Sequence, residues 1–142
     1  MICLLGIIIV IIGVIIDQVT KYFASSYLKD NPIIIIEDVL ELRYLENRGA
    51  AFGMLQNQQW FFLIITVITL CIITYIYIKL PHDKHFTPLR LCMISLMAGA
   101  IGNMIDRIRL QYVIDFIYFK IIDFPIFNVA DIFATVATFA LI

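Results

Sequence analysis

The sequence predicts an α-helical membrane protein with four transmembrane helices and a small extracytoplasmic β-sheet. Three observations predict it. Hydrophobic residues make up 63% of the chain and charged residues only 15%, against about 25% charged in soluble domains. Four apolar runs approach the ~20 residues that a helix rising about 1.5 Å per residue needs to cross a bilayer. Two stretches between them, 32–47 and 110–124, are rich in β-branched and aromatic residues. The 142 residues are read as a single membrane-embedded domain, 1–142. The net charge of −1 excludes a nucleic-acid surface and a polybasic lipid patch.

The first predicted helix covers residues 2–27. Its apolar start looks like a secretory leader. No Lys or Arg precedes it, however, and Asp17 and Lys21 interrupt its end, so no cleavage at Ala24-Ser25-Ser26 is expected. The 32–47 stretch has isoleucine at 33–36 and then alternates through Leu40-Glu41-Leu42-Arg43-Tyr44-Leu45-Glu46, which reads as strand. The second helix, 60–80, is apolar almost throughout. The third, 88–107, has Pro88 at its start, where the missing N–H costs nothing. The 110–124 stretch again favours strand. The fourth helix, 128–142, has about 15 residues and no polar tail, so either it is short or the sequence stops within it.

Cys3, Cys71 and Cys92 are odd in number and lie within apolar runs, so they read as small hydrophobes rather than a disulfide framework. His82-Asp83-Lys84-His85 reads as a solvated turn rather than a metal site. No metal or cofactor is expected, and the chain is expected to be a monomer surrounded by membrane phospholipid. Orientation follows from Lys and Arg density in short loops. Lys79, Lys84 and Arg90 crowd the second connection, whereas Lys29, Arg43 and Arg48 are spread along a longer first loop. The second connection is therefore placed in the cytoplasm, with both termini, and the β-like segments outside.

This topology brings the polar residues of the apolar segments to one depth. Asp17 sits about 22 Å along the first helix, and Asn103 lies at a similar height in the third, followed by Asp106 and Arg107. Asp131 falls in the first turn of the fourth helix, and Asp115 on the outer connection before it. Asp17 and Lys21 are four apart in the acid-before-base order of a helical ion pair, read as structural. Asp106 and Arg107 point to different sides and need partners elsewhere; Arg107 can snorkel outward or grip a carboxylate or phosphate. Asn103 and Asn128 read as helix-to-helix hydrogen bonds, and Gly99 and Gly102 as close packing. The 47–53 segment reads as an outer loop that dips to the membrane face and presents backbone groups. A carboxylate at bilayer depth costs roughly 2.5–3.5 kcal/mol on insertion scales. For Asp115 and Asp131 the residues alone leave three readings open: helix caps lining a polar cavity, a proton or ion pathway, and a catalytic pair sharing a proton.

Five motifs then carry a resemblance: Asp17-Gln18-Val19-Thr20-Lys21; Asn47-Arg48-Gly49-Ala50-Ala51-Phe52; Gly99-Ala100-Ile101-Gly102-Asn103-Met104-Ile105-Asp106-Arg107; Val113-Ile114-Asp115-Phe116; and Phe127-Asn128-Val129-Ala130-Asp131. In these, and in their order, the chain resembles the lipoprotein signal peptidases (signal peptidase II) of bacterial inner membranes. The resemblance implies an aspartic endopeptidase that cleaves diacylglyceryl-modified prolipoproteins before the lipidated cysteine, with its site near the outer face. It implies Asp115 and Asp131 as the catalytic pair. It also implies that Asn47, Asn103, Arg107 and Asn128 hold substrate or support the pair, and that Asp17, Lys21 and Asp106 are structural. Departures are Gln111 and Tyr112 where the family often has glycine, Ile132 and Phe133 where small side chains are common, and the missing basic tail. The rival from another class is a small transporter relaying protons through Asp17, Asp106 and Asp131.

Overall fold

The computed structural model describes residues 2–49, 54–81 and 83–141. The elements are α1 (Ile2–Tyr27), β1 (Ile33–Ile36), β2 (Leu40–Asn47), α2 (Gln59–Lys79), α3 (Thr87–Leu110), β3 (Val113–Phe119) and α4 (Val129–Ala140), with short 3₁₀ turns at Lys84–Phe86 and Lys120–Ile122. Among the described residues, three helices are long and apolar enough to cross a membrane, within Leu4–Tyr27, Gln59–Lys79 and Lys84–Leu110; α4 is a shorter apolar helix. Their outer faces are lipid-like: Ile8, Ile12, Ile64, Ile68 and Val136 are all exposed. α2 buries only Gln59 and Tyr77, so it stands nearly free on the flank of α3.

α3 is the central post. It begins with Pro88 in its first turn and ends at Gln111, whose φ of 65° places it in the left-handed region. It runs past the expected end at 107 because Asp106 and Arg107 find partners inside the protein and do not mark a polar exit. Tyr77, Met93 and Ile94 form one buried cluster, joined by Val10 from α1. At the end of α2, Arg90 donates to the carbonyls of Leu80 at 2.6 Å and Pro81 at 3.1 Å, closing that helix with a cation where its dipole is negative.

The sheet is antiparallel in the order β1-β2-β3. The 32–47 stretch, expected as one strand, is a hairpin. It turns at Glu37–Val39 on Asp38, whose φ of 57° is a conformation that aspartate tolerates better than most residues. The 110–124 stretch likewise contains a seven-residue strand and then a 3₁₀ turn. Ala24 and Leu28 of α1 pack on Ile114 and Phe116 of β3, which ties the sheet to the helix ends. Between β2 and β3 the register shifts. Leu42 pairs with Ile117 and Leu45 with Asp115, so β2 carries one extra residue. Asn47 is two residues past Leu45 and therefore shares a sheet face with Asp115. Without the bulge it would point to the opposite face.

Candidate active site

Asp115 comes from β3 and Asp131 from the first turn of α4, and the same asparagine touches both. Asn128 is the N-cap of α4. Its side-chain oxygen accepts from the Asp131 backbone N–H at 3.0 Å, and the Asp131 carboxylate accepts from the Asn128 backbone N–H at 3.1 Å, a reciprocal capping box. With its oxygen committed, the Asn128 amide nitrogen must face the other way. It donates to Asp115 Oδ1 at 2.6 Å and lies 3.1 Å from Asn103 Oδ1. Asn47 donates to the second Asp115 oxygen at 2.8 Å, and Asn103 donates to Asp131 Oδ1 at 2.8 Å.

The Asn103 amide is also fixed in direction. The Lys21 ammonium, which can only donate, sits 2.8 Å from its oxygen and so turns its nitrogen toward Asp131. Lys21 is held 2.9 Å from Asp17 and 2.9 Å from Asp106, all three buried. Each carboxylate then grips a chain segment next to one member of the pair. Asp17 accepts from the Ala130 N–H at 2.9 Å, beside Asp131 and at the positive end of α4. Asp106 accepts from the Ile114 N–H at 3.1 Å, beside Asp115. Close packing makes this possible: a Cβ added at Gly102 would run into the Asp17 carboxylate, and one at Gly99 into the Ala130 carbonyl.

A cavity of about 720 Å³ opens beside the pair. Asn47, Asn103, Arg107, Asp115, Asp131 and Thr135 are among its lining residues, and the sheet side adds Arg43, Tyr118 and Asp123. Arg107 does not snorkel outward. Its guanidinium lies 4.9 Å from the centre of the Phe62 ring, and its charge faces Asp131, Asp115 and Asp106. Its Nε is buried without a hydrogen-bond partner among the described residues. Burial, and after it the negative charge of Asp131, push the Asp115 carboxyl up from 3.8 to about 7, against the amide hydrogen bonds of Asn47 and Asn128. Asp115 can therefore hold a proton near neutral pH beside a second carboxylate.

Residues 9–142 match the family Peptidase_A8, described as Signal peptidase (SPase) II. The chain belongs to the signal peptidase II family. It is 48% identical over 139 residues to the lipoprotein signal peptidase of Caldanaerobacter subterraneus subsp. tengcongensis, covering 96% of this chain and 92% of that protein. It is 41% identical over 141 residues to that of Clostridium tetani, covering 96% and 88%. A solved structure described as a bacterial membrane enzyme, determined by the in meso method at 2.3 Å, has a TM-score of 0.86 at 37% identity and covers 96% of this chain and 84% of that one. The protein is thus a bacterial membrane peptidase of the lipoprotein signal peptidase family, a hydrolase with membrane-spanning helices.

For this signal peptidase II member, the structure gathers every site residue expected from sequence into two connected clusters, one lining the cavity and one beneath it. Ala50–Gly53 of the expected outer loop and His82 lie outside the described residues. From the rest of that loop, Arg48 offers its carbonyl to Asn57 N–H at 2.9 Å and to Gln59 Nε2 at 2.7 Å. Three residues escaped sequence reasoning. Gln18 donates to Asp106 at 3.0 Å and to the Gly102 carbonyl at 3.2 Å, bracing α1 against α3. Its place beside Asp17 in the first motif was the available signal. Tyr118 donates to Asp123 at 2.7 Å on the cavity rim, and neither residue belongs to any of the five motifs. Ile132 and Phe133 do not line the cavity beside Asp115 and Asp131: Phe133 instead lines an apolar pocket with Ile9, Gly13 and Ala98.

Proposed function

We propose that the chain is an aspartic endopeptidase that removes signal peptides from diacylglyceryl-modified prolipoproteins, cutting before the lipidated cysteine. The observation that carries this reading is the pairing of two carboxylates in one cavity. One of them is raised toward neutral pH, and each receives an amide N–H whose direction is fixed by a second bond. Asp131 takes a proton from a water, which attacks the scissile carbonyl. Asp115, protonated, donates to the carbonyl oxygen and, after exchange, a proton reaches the leaving amine. Arg107, which lines the cavity and makes no side-chain hydrogen bond among the described residues, holds a peptide or ester carbonyl of the substrate.

In this reading α4 completes a set of four membrane-crossing helices, both termini are cytoplasmic, and the site lies near the outer face. The sheet then covers the peptide while the substrate's acyl chains remain in the leaflet, and a monomer suffices because both aspartates come from one chain. The proton-relay alternative is disfavoured by the Asp17–Lys21–Asp106 cluster, in which both carboxylates are saturated by an ammonium and backbone N–H groups. The test is to incubate the purified protein with matched precursors carrying and lacking the diacylglyceryl group, reading product by mass. Cleavage of the lipidated precursor alone is expected. Cleavage of neither, or of both equally, contradicts the proposal.

A further inference from the structure

Three threonines in the apolar helices satisfy their hydroxyls on their own backbone, whereas Thr74 reaches the Met97 sulfur at 3.7 Å and the exposed Thr69 of α2 makes no hydrogen bond among the described residues. Thr66 donates to the Phe62 carbonyl at 2.7 Å, Thr138 to the Ala134 carbonyl at 2.8 Å, and Thr20 to the Asp17 carbonyl at 2.8 Å. Such back-bonding removes the cost of placing a hydroxyl where no water is available. Thr135 makes no such bond either, but unlike Thr69 it borders the cavity. It is exposed on α4, lines the cavity, and makes no hydrogen bond among the described residues. It lies four residues past Asp131, hence on the same helix face and about 6 Å further along the axis. The sheet joins the opposite end of α4 through the Ile117–Phe127 bridge. Thr135 therefore lies one turn further from the sheet-linked end of α4 than Asp131.

We propose that Thr135 is a specificity residue whose hydroxyl donates a hydrogen bond to an ester carbonyl of the diacylglyceryl group. This rests on the proposed peptidase reading. The chemistry fits the spacing. From a scissile carbonyl at Asp131, the substrate continues through the cysteine amide nitrogen, Cα, Cβ and sulfur to the glyceryl backbone, a short tether that reaches one helical turn. An ester carbonyl is an acceptor without a donor of its own, and it arrives in an apolar setting. There it completes the one helical hydroxyl that the protein leaves open into the cavity.

The experiment compares Thr135→Val, which keeps the shape and removes the donor, with Thr135→Ser, which keeps the donor. Each is assayed on a precursor bearing diacylglyceryl cysteine and on one bearing a dialkyl ether analogue without ester carbonyls. Wild type is expected to prefer the ester substrate by about tenfold in kcat/KM, the worth of one hydrogen bond. Thr135→Val loses that preference, and Thr135→Ser retains most of it. Thr135→Val cleaving the ester substrate as well as wild type, or losing equally on both substrates, overturns the assignment. Cleavage of neither substrate by wild type overturns the peptidase reading instead, so the two failures are distinguishable.

Discussion

At the scale of single residues, three asparagines define the site because an amide offers a donor and an acceptor whose directions a neighbour can lock. Asn128 does two jobs. Its loss removes an N-cap, which costs about 1 kcal/mol of stability, and frees both carboxylates. Asn128→Ala is expected to lower activity at least about a hundredfold while the protein still purifies folded, checked by kinetics beside thermal melting. The raised Asp115 has a pH signature. A general acid near pKa 7 is protonated below that pH and ionised above it, so kcat falls as pH rises through about 7. Stability moves in the same direction. Between 3.8 and about 7 the unfolded carboxyl has released its proton while the folded one retains it, so the fold weakens with rising pH across that window and is unaffected below it. Asn47 donates to the ionised form and holds this value down, so Asn47→Ala should shift the alkaline limb of the kcat profile to higher pH. A limb that stays in place would show that Asn47 does not tune the acid.

At the scale of elements, two devices aim the side chains. The first is the bulge in β2. Inserting one residue between Leu45 and Glu46 would undo the alignment that the bulge sets, moving Asn47 by one position and turning it to the far face. The expected result is helix content unchanged by circular dichroism and cleavage at or below the level of Asn47→Ala. The second is the Lys21 cluster, which fastens α4 and β3 to α1 and α3. Lys21→Met leaves two buried carboxylates without a cation and should cost about 3–5 kcal/mol. Adding Asp17→Asn to that variant should restore part of the lost stability, measured as resistance to denaturant. The helices were legible in the sequence because apolar runs of spanning length and Pro88 are strong local signals. The hairpin was not, because Glu37-Asp38-Val39 contains neither glycine nor proline and strand-favouring residues stand on both sides of it. The bulge was invisible for a related reason: a one-residue register shift leaves no mark in composition. The gathering of Asp17, Asn103, Asp106 and Asp131 was legible from helix rise alone, since position along a helix converts directly to depth. Their hydrogen-bond directions were not, because these depend on which amide atom a distant lysine or backbone N–H faces.

At the scale of the whole molecule, the protein divides into an apolar bundle exposed to lipid and a small sheet capping one end, with the cavity at their junction. The proposed orientation places the α1–β1 turn outside and the connection before α3 inside. Single cysteines at Asp30 and Lys84, in a background without the native thiols, should therefore differ: the first reacts with an impermeant reagent on intact cells and the second only after permeabilisation. The reverse pattern would invert the topology and remove the outer site. The shared action of Asp115 and Asp131 is tested most directly by cleavage of a diacylglyceryl prolipoprotein by wild type, Asp115→Asn and Asp131→Asn, read by product mass with folding of each variant confirmed by melting. The prediction is product from wild type and none above background from either folded variant. Cleavage by either variant at a rate near that of wild type would contradict the account.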